Sequence, residues 1–171
     1  MEIKKATQAD VEIIQKLAEE IWPVCYGDII SEEQLRYMLN LIYTPAALKA
    51  QIGKGHQFVI AYQAKTPIGF ASYSEKSFQE LTTFRLHKIY VLTSLQTKGI
   101  GSSLLKYVIT QSRKAGATVL ELNVNKYNNA RKFYEKKNFT IVKEEVIDIG
   151  NGYVMDDYVM MTLLTPSGRG K

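Results

Sequence analysis

The amino-acid sequence predicts an α/β (α+β) fold, with a mixed central sheet of about six or seven strands and helices on both faces of the sheet. Segments with the period of helices alternate along the chain with segments that have the two-residue period of strands. The length of 171 residues suits one domain with a sizeable core, and no internal repeat or low-complexity linker divides it. We therefore expect a single domain over residues 1–164 and a flexible C-terminal tail over residues 165–171.

The composition is that of a globular protein, with 46% hydrophobic and 23% charged residues. The formal net charge of +5 is moderate, and no nucleic-acid-binding motif accompanies it. The single cysteine, Cys25, excludes an internal disulfide framework and a zinc site built on cysteines. No apolar run approaches the roughly 18 residues of a membrane helix, and no secretory pattern is present. The sequence therefore predicts a cytoplasmic protein with no metal site, no nucleic-acid partner and no membrane association.

The chain begins with a short predicted strand and an amphipathic helix. The strand covers Glu2 to Lys5, and Thr7 or Asp10 can cap the helix that follows. The apolar residues of this helix recur at helical spacing on one face: Val11, Ile14, Leu17, Ala18 and Ile21. Pro23 is expected to end the helix, because proline lacks the backbone N–H that a helix interior needs.

Two further helices are predicted before the period of the pattern changes. Ser31 has capping-box spacing to Gln34 and precedes apolar residues at helical spacing. Pro45 opens another short helix that stops near Gly53, as expected from the preference of proline for the first helical turn. After this helix, the segments QFVIAYQ, IGFASYSEK and FRLHKIYVL have strand character.

The last third of the chain alternates again between helix and strand. A helix with a buried face formed by Leu104, Leu105, Val108 and Ile109 is expected to stop at Gly116. The segment TVLELNV is a predicted strand, and NNARKFYEKKN is a predicted helix. The following segment, FTIVKEEVIDIGNGYVMDDYVMMTLL, predicts a hairpin that turns at Asn151-Gly152.

The segment LQTKGIGSS, between a predicted strand and a predicted helix, has the composition of an anion-binding turn. Free backbone N–H groups at the positive end of a helix dipole favour phosphate. Gly99 and Gly101 are expected to reach positive φ and to leave the backbone uncovered. The segment matches neither a P-loop nor a dinucleotide fingerprint, and by itself it also fits an ordinary glycine-rich turn.

A second motif makes this turn specific. QTKGIG after HKIYVL, followed later by NVNKYNNARKFYEKKNF, resembles the Gcn5-related N-acetyltransferases (GNAT), which carry (Q/R)xxGx(G/A) after their fourth strand and an Asn…A…FYxKxGF helix. The resemblance covers about Ile3 to Leu164 and implies the GNAT fold and an acetyl-CoA-dependent N-acetyltransferase. Within the family, YGDIISEEQLRYMLN together with LHKIYVL is most similar to the PaiA-type polyamine acetyltransferases.

The resemblance also implies where acetyl-CoA binds. The pyrophosphate is expected at the turn and first helical residues: Gln96, Thr97, Lys98, Gly99, Ile100, Gly101 and Ser102. The pantetheine arm is expected along the end of the fourth strand, at Ile89, Tyr90 and Val91. Asn128 matches a position where the family often has an asparagine that contacts CoA, and Asn125 is the alternative. Both asparagines also fit plain turn chemistry. Lys137 is expected to offset the 3′-phosphate of CoA, and a solvated helix face is the ordinary alternative for the basic run in which it lies.

Acetyl transfer from a thioester to an amine needs a base for the ammonium, a donor for the oxyanion and a proton for the departing thiolate. Tyr134 matches the family tyrosine whose hydroxyl stands near the CoA sulfur. The base stays open between His87, which stands where many relatives have a glutamate, and Glu75. A backbone N–H near Tyr90 or Val91 is expected to stabilise the oxyanion.

Two further positions carry structural expectations. Asn138 replaces the glycine that is usual in the KxGF part of the family motif, and it is expected to adopt a left-handed conformation after the helix. His56 lies in the turn Gly-Lys-Gly-His and is expected to be exposed.

The acceptor side is expected in the segment between the first two helices. Trp22 and Tyr26 can wall a slot, and the carboxylates of Asp28 and Glu32, with Glu75 on the sheet, could hold a cationic amine such as spermidine. For Glu32 the ordinary interpretation is an acidic residue in the first turn of a helix.

Several functions stay open at this point. The first is acetyl transfer to a small amine, best a polyamine, by direct attack in a ternary complex. A protein N-terminus or a lysine is the alternative acceptor, and a non-catalytic acyl-CoA-binding module is the alternative from another class. The sequence leaves a monomer and a homodimer equally open.

Overall fold

The computed structural model describes residues 1–78 and 81–165, so the predicted tail beyond Thr165 lies outside the described residues. Seven strands form a mixed sheet accompanied by helices, which confirms the predicted fold class. The strands are β1 (Glu2–Lys5), β2 (Gln57–Gln63), β3 (Thr66–Phe78), β4 (Leu81–Val91), β5 (Val119–Asn125), β6 (Thr140–Gly150) and β7 (Tyr153–Leu163). The helices are α1 (Val11–Tyr26), α2 (Glu32–Ile42), α3 (Pro45–Gly53), α4 (Ile100–Lys114) and α5 (Ala130–Glu135), with 3-10 segments at Gln8–Asp10 and Thr93–Lys98.

The chain divides into two compact units. The first unit comprises Met1–Ser74 and His87–Val108. The second unit comprises Glu75–Leu86 and the chain from Ile109 onward. Strand β4 therefore contributes its C-terminal half to the first unit and its N-terminal half to the second.

In the first unit the strand order is β1-β2-β3-β4. β1 pairs antiparallel with β2, and β2 pairs antiparallel with β3, with Val59 opposite Ala71. The connection between β2 and β3 turns at Ala64 and Lys65, whose φ values are +47° and +70°. Positive φ at both central residues is what a two-residue type I′ hairpin turn requires.

In the second unit the strand order is β4-β5-β7-β6. β4 runs parallel to β5, with Thr83 opposite Val119, and the pairs β5–β7 and β6–β7 are antiparallel. The β6–β7 hairpin turns at Asn151 and Gly152, with φ values of +54° and +76°, at the predicted position.

The core of the first unit is built on the predicted apolar faces. The five residues on the predicted face of α1 are all buried, and Ile14 and Ala18 have no exposed surface. They share the interior of this unit with apolar residues of α3, β2, β3 and α4 that are at most 1% exposed: Leu48, Phe58, Val59, Phe70, Ala71, Leu104 and Leu105. Burying one such large side chain contributes about 1.5–3 kcal/mol before the entropy of ordering is subtracted.

Local capping signals are confirmed by the structure. The Ser31 hydroxyl accepts a hydrogen bond from the Gln34 backbone N–H at 3.1 Å and begins α2. Thr7 caps the 3-10 segment that leads into α1, in a capping box with Asp10. Asn138 has a φ of +66°, the left-handed conformation predicted for it.

Two predicted helix boundaries are wrong. α1 continues through Pro23 to Tyr26. The carbonyl of Glu19, which loses its hydrogen bond because proline has no N–H, belongs to an exposed residue, so the cost of continuing the helix is moderate. α5 covers only Ala130–Glu135, because the Asn128 side chain first forms a turn by accepting a hydrogen bond from the Ala130 N–H at 2.9 Å.

Candidate active site

The turn between β4 and α4 leaves the first amides of a long helix without helical partners. The 3-10 segment Thr93–Lys98 ends at Gly99, whose φ of +76° is left-handed, and α4 starts at the next residue. The Ser103 N–H and hydroxyl both donate to the Gly99 carbonyl, at 3.0 and 3.2 Å. This is the first hydrogen bond of α4, so the amides of Ile100, Gly101 and Ser102 point along the helix axis without helical acceptors.

The conformation expected for Gly101 is wrong. Gly101 lies in the first turn of α4, and its φ is not positive. One left-handed residue, Gly99, suffices to reverse the chain into the helix, so the next glycine takes helical angles. Because Gly101 has no Cβ, it still leaves the backbone of the first helical turn uncovered.

The Gln96 side chain bonds within the protein. Its Nε2 donates to the Val91 carbonyl at 3.4 Å and lies 3.9 Å from the Cys25 Sγ. Burial raises the pKa of the Cys25 thiol, and the Gln96 hydrogen bond opposes that shift. Gln96 therefore ties the turn to the end of β4. Thr97 and Lys98 are exposed on the same turn.

The residues expected along the pantetheine arm lie at the end of β4. Ile89 and Tyr90 are half-buried, and Val91 is buried. A Cβ built on Gly69 of β3 would lie 2.7 Å from the Tyr90 carbonyl oxygen. Gly69 thus allows the two backbones to approach closely, a role that the sequence pattern did not indicate.

The predicted slot residues Trp22 and Tyr26 lie in a buried aromatic cluster of the first unit. Their exposures are 3% and 6%, and their ring centroids are 4.5 Å apart. Trp22 also contacts Tyr43 and Tyr90, at centroid distances of 5.4 and 5.8 Å. Burial raises the pKa of Tyr43 well above its usual value. A contact of Trp22 or Tyr26 with substrate stays a prediction.

The three carboxylates predicted for the acceptor amine are exposed. Glu32 forms a 2.8 Å ion pair with Arg36 one helical turn away, and Asp28 precedes α2. Glu75 belongs to the second unit. The ion pair of Glu32 with Arg36 therefore agrees with the ordinary interpretation of Glu32 as an acidic residue in the first turn of a helix.

His87, the candidate base, is held by two neighbours in the first unit. Its Nε2 lies 2.7 Å from the Ser74 hydroxyl. Its ring stacks on the ring of His56, with centroids 4.0 Å apart and planes 6° from parallel. The expected exposed position of His56 is wrong, since His56 is half-buried. The register of β2 and β3 explains why His56 lies close to Ser74 and His87: Gln57 pairs with Tyr73, so the preceding residue, His56, is brought towards Ser74.

Lys88, next to His87, is a second group that sequence reasoning missed. Its Nζ donates to the Gln51 Oε1 at 2.7 Å and lies over the rings of Phe58 and Tyr43, at 5.4 and 5.9 Å from the centroids. Burial lowers the pKa of Lys88 to about 8. Burial also lowers the pKa of His56, and the charges of Lys88 and Lys54 add to this shift.

The second unit holds the candidate acid. Tyr134 on α5 is 6% exposed, and its ring packs against Phe133 and Phe139 at centroid distances of 5.2 and 5.6 Å. Lys137 is exposed, with its Nζ 5.9 Å from the Phe133 ring.

The two asparagines before α5 bond to nearby backbone. The Asn128 and Asn125 side-chain oxygens accept hydrogen bonds from the N–H groups of Ala130 and Tyr127, at 2.9 and 3.0 Å. Both side-chain oxygens therefore make the hydrogen bonds of ordinary turns, the alternative that the sequence left open for the two asparagines. A contact of Asn128 with CoA stays a prediction.

A polar network on β3, β4, β5, β6 and β7 was not predicted. Glu121, 5% exposed, is paired with Lys76 and Arg85. The Asn123 Nδ2 donates to Glu145 at 2.9 Å and to Asp157 at 3.3 Å. Burial raises the pKa of Asp157, and the Asn123 hydrogen bond opposes this. These residues are far apart in the sequence, and only the strand order of the sheet brings their side chains together.

No group of three or more His, Cys, Asp and Glu side chains suited to a metal ion occurs within residues 1–78 and 81–165. Over the same ranges, no helix is both long and apolar enough to cross a membrane.

A strand, a left-handed glycine and a long helix with open first-turn amides form the kind of turn that can bind an anion such as a phosphate. A family model for the acetyltransferase (GNAT) domain matches residues 28–158. The chain belongs to this family, which confirms the predicted resemblance, and it is an acetyltransferase.

Relatives agree with this assignment. The chain is 25% identical over 162 residues to a spermidine N(1)-acetyltransferase of Thermoplasma acidophilum, covering 91% of this chain and 96% of the relative. The PaiA N-acetyltransferase of the same organism, solved in complex with coenzyme A, superposes with a TM-score of 0.76 at 24% identity over 95% of this chain and 98% of that one. The yncA protein of Salmonella typhimurium, solved with acetyl-CoA, has a TM-score of 0.66 at 21% identity over 100% and 98% of the two chains.

Proposed function

We propose that the protein transfers the acetyl group of acetyl-CoA to a primary amine of a polyamine such as spermidine or spermine. Membership of the acetyltransferase (GNAT) family supports acetyl transfer as the reaction. The relative from Thermoplasma acidophilum, a spermidine N(1)-acetyltransferase that aligns over 91% of this chain, supports the polyamine as acceptor.

Acetyl-CoA is the acyl donor. The start of α4 fits the pyrophosphate of this substrate in two respects. A Cβ added to Gly99 would meet no atom within 4 Å, so the space in front of the turn is open. The first turn of α4 has no acidic residue, so no carboxylate repels an anion at the positive end of the helix dipole. The amides of Ile100, Gly101 and Ser102 would bind phosphate oxygens, and Lys98 adds a positive charge at the turn.

The reaction that we propose needs a base for the ammonium, a hydrogen-bond donor for the oxyanion and an acid for the thiolate. His87 accepts one proton from the acceptor ammonium, and the neutral amine then forms a bond to the carbonyl carbon. A backbone N–H near Tyr90 or Val91 stabilises the oxyanion. When the carbon–sulfur bond breaks, the Tyr134 hydroxyl donates its proton to the thiolate, and the tyrosinate recovers a proton from the new amide nitrogen. Glu75 is the alternative base.

The acceptor carries positive charge, and the carboxylates proposed for it are exposed to solvent, with Glu32 also paired with Arg36. Asp28 and Glu32 are exposed at the start of α2, and Glu75 is exposed on β3. Exposed carboxylates attract a polycation in a salt-dependent manner, so the KM for spermidine should rise with ionic strength. Trp22 and Tyr26 would contact the methylene chain. A neutral small amine would lack this salt dependence.

A turnover assay with a panel of amines tests the proposed acceptor. Release of free CoA is measured with spermidine, spermine, a peptide with a free N-terminus and a lysine peptide, each against a blank without acceptor. We expect the highest kcat/KM with a polyamine. A higher value with either peptide would replace the polyamine by a protein acceptor, while release at the blank level with all amines would contradict acetyl transfer to these classes.

A further inference from the structure

Two imidazole rings stack in the first unit of a chain that contains only two histidines. His56 precedes β2, and His87 lies on β4, with β3 between these strands. Ser74 on β3 lies under the pair and bonds to the His87 Nε2 at 2.7 Å. The centroid distance of 4.0 Å and the interplanar angle of 6° indicate full face-to-face contact. We call His56 and His87 the histidine pair.

We propose that His56 is a positioning residue for His87: its stacked ring fixes the plane of the His87 imidazole, so that His87 can take the proton of the acceptor ammonium. This inference rests on the proposed assignment of His87 as the base. Nothing in the sequence pattern or in the family assignment gives His56 a role.

The contacts of the pair determine which nitrogen can act. When the His87 Nε2–H donates to the Ser74 hydroxyl, Nδ1 carries the lone pair and can accept a proton. Rotation of the ring about its Cβ–Cγ bond would break this hydrogen bond and move Nδ1. The stacked His56 ring blocks that rotation, since a tilted ring would collide with a neighbour at 4.0 Å. The pair and Ser74 together thus hold the His87 ring in one orientation.

The charges around His56 keep it in the neutral form. Lys88 on β4 and Lys54 after α3 both disfavour a proton on His56, and burial acts in the same direction. A neutral ring stacked on His87 can accommodate an imidazolium there, whereas two stacked imidazolium ions would repel each other. Burial and both lysines thus favour the neutral form of His56.

Two substitutions separate stacking from the other properties of His56. His56→Phe keeps a flat ring and removes both nitrogens, and His56→Leu removes the flat ring as well. We expect His56→Leu to lower kcat/KM for spermidine about tenfold, mainly through kcat, and to leave the KM for acetyl-CoA unchanged. His56→Phe should stay within about twofold of the wild type. Calorimetric binding of coenzyme A to each variant verifies that the fold is intact.

Nuclear magnetic resonance gives a readout that does not need turnover. With any affinity tag removed, the two imidazoles are the only histidine signals, and His87→Phe assigns them. On lowering the pH of the wild type, we expect the His56 ring to take up a proton only below the pH at which an ordinary imidazole does, because burial and the charges of Lys88 and Lys54 lower its pKa. In His56→Leu the ring signals of His87 should shift or broaden, because nothing then holds the ring in one plane, and in His56→Phe they should change less.

Each other outcome overturns the inference in a distinguishable way. If His87→Phe abolishes turnover but both His56 variants match the wild type in rate and in the His87 ring signals, His56 has no positioning role and the assignment of His87 as base is unaffected. Equal losses in the Phe and Leu variants contradict stacking as the cause. Protonation of His56 at or above the pH of an ordinary imidazole contradicts a neutral His56. Full activity of His87→Phe removes the base and the positioning role together, and leaves acetyl transfer itself intact.

Discussion

The hydroxyl groups of Tyr26 and Tyr90 lie 2.9 Å apart and join the last turn of α1 to β4 within the first unit. Both rings also pack against Trp22, at centroid distances of 4.5 and 5.8 Å. The hydrogen bond therefore lies at the edge of a buried aromatic cluster, next to the strand end from which the candidate phosphate turn starts.

Removal of one hydroxyl group should show how much the hydrogen bond between Tyr26 and Tyr90 stabilises the fold. Tyr26→Phe leaves the ring packing and breaks the hydrogen bond, so we expect the free energy of unfolding to fall by about 1 kcal/mol. Urea denaturation of Tyr26→Phe, Tyr90→Phe and the double variant completes a double-mutant cycle. Costs that add without any coupling would mean that the two hydroxyls do not stabilise each other.

Lys88 should make stability depend on pH in the alkaline range. Its pKa is lowered from 10.5 to about 8 by burial. Below pH 8 the amine is charged in both states, and the folded state bears the full cost of the buried charge. Above pH 10.5 it is neutral in both states and costs nothing. The contribution of Lys88 to stability therefore improves as the pH rises between these values.

Substitution of Lys88 tests this dependence. Burial of the charged amine costs more free energy than its hydrogen bond contributes. Lys88→Met should therefore raise the free energy of unfolding by about 1 kcal/mol at neutral pH. The gain should shrink as the solution approaches pH 10.5. Thermal unfolding is measured across this range, with Lys54→Met, a change at an exposed lysine, as the control. A gain that is constant with pH would contradict a buried ammonium at Lys88.

Gly99 and Gly116 form a matched pair for the phosphate turn. Both have positive φ, +76° and +89°, and an added Cβ would meet no atom within 4 Å at either position. Gly99→Ala and Gly116→Ala should therefore lose similar stability, about 1 kcal/mol each, from backbone strain. Only Gly99 precedes the open amides of α4. Calorimetry should show about tenfold weaker coenzyme A binding in Gly99→Ala alone. Equal affinities in the two variants would contradict the assigned site.

Tyr134→Phe tests the proton donor. The ring and its packing against Phe139 remain, so we expect binding of acetyl-CoA within about twofold of the wild type and a kcat lower by about a hundredfold. Tyr127, which is 72% exposed, gives the control Tyr127→Phe with unchanged kcat. Steady-state kinetics with spermidine measure both. A kcat for Tyr134→Phe close to that of the wild type would assign the proton to solvent.

Asn138 should tolerate glycine better than alanine. At a φ of +66°, glycine is unstrained, whereas a Cβ without a polar group is disfavoured. We expect Asn138→Gly to match or exceed the stability of the wild type and Asn138→Ala to lose about 1 kcal/mol. Chemical denaturation of both variants is the measurement. A greater stability of the alanine variant would show that the left-handed conformation is not retained in solution.

Local features of the fold could be read from the sequence, because the residues that produce them are neighbours in the chain. The Ser31 cap, the Pro45 start of α3 and the Asn151-Gly152 turn depend on backbone preferences and hydrogen bonds within a few residues. The turn before α4 was found in the same way. Pro23 departs from this rule, since packing of Trp22 and Tyr26 in the aromatic cluster favours continuation of α1 over the preference of proline.

The sequence by itself determined the fold class, the family and the glycine turn before α4, because periodicity and motif spacing are properties of the chain order. Only the tertiary structure decided that His56 stacks on His87, that Lys88 lies over Phe58 and that Asn123 joins Glu145 to Asp157. These contacts join residues on different strands, and strand order and register exist only in the folded sheet. Burial then sets the charge state of Lys88, because the cost of a charge depends on the solvent that the fold removes.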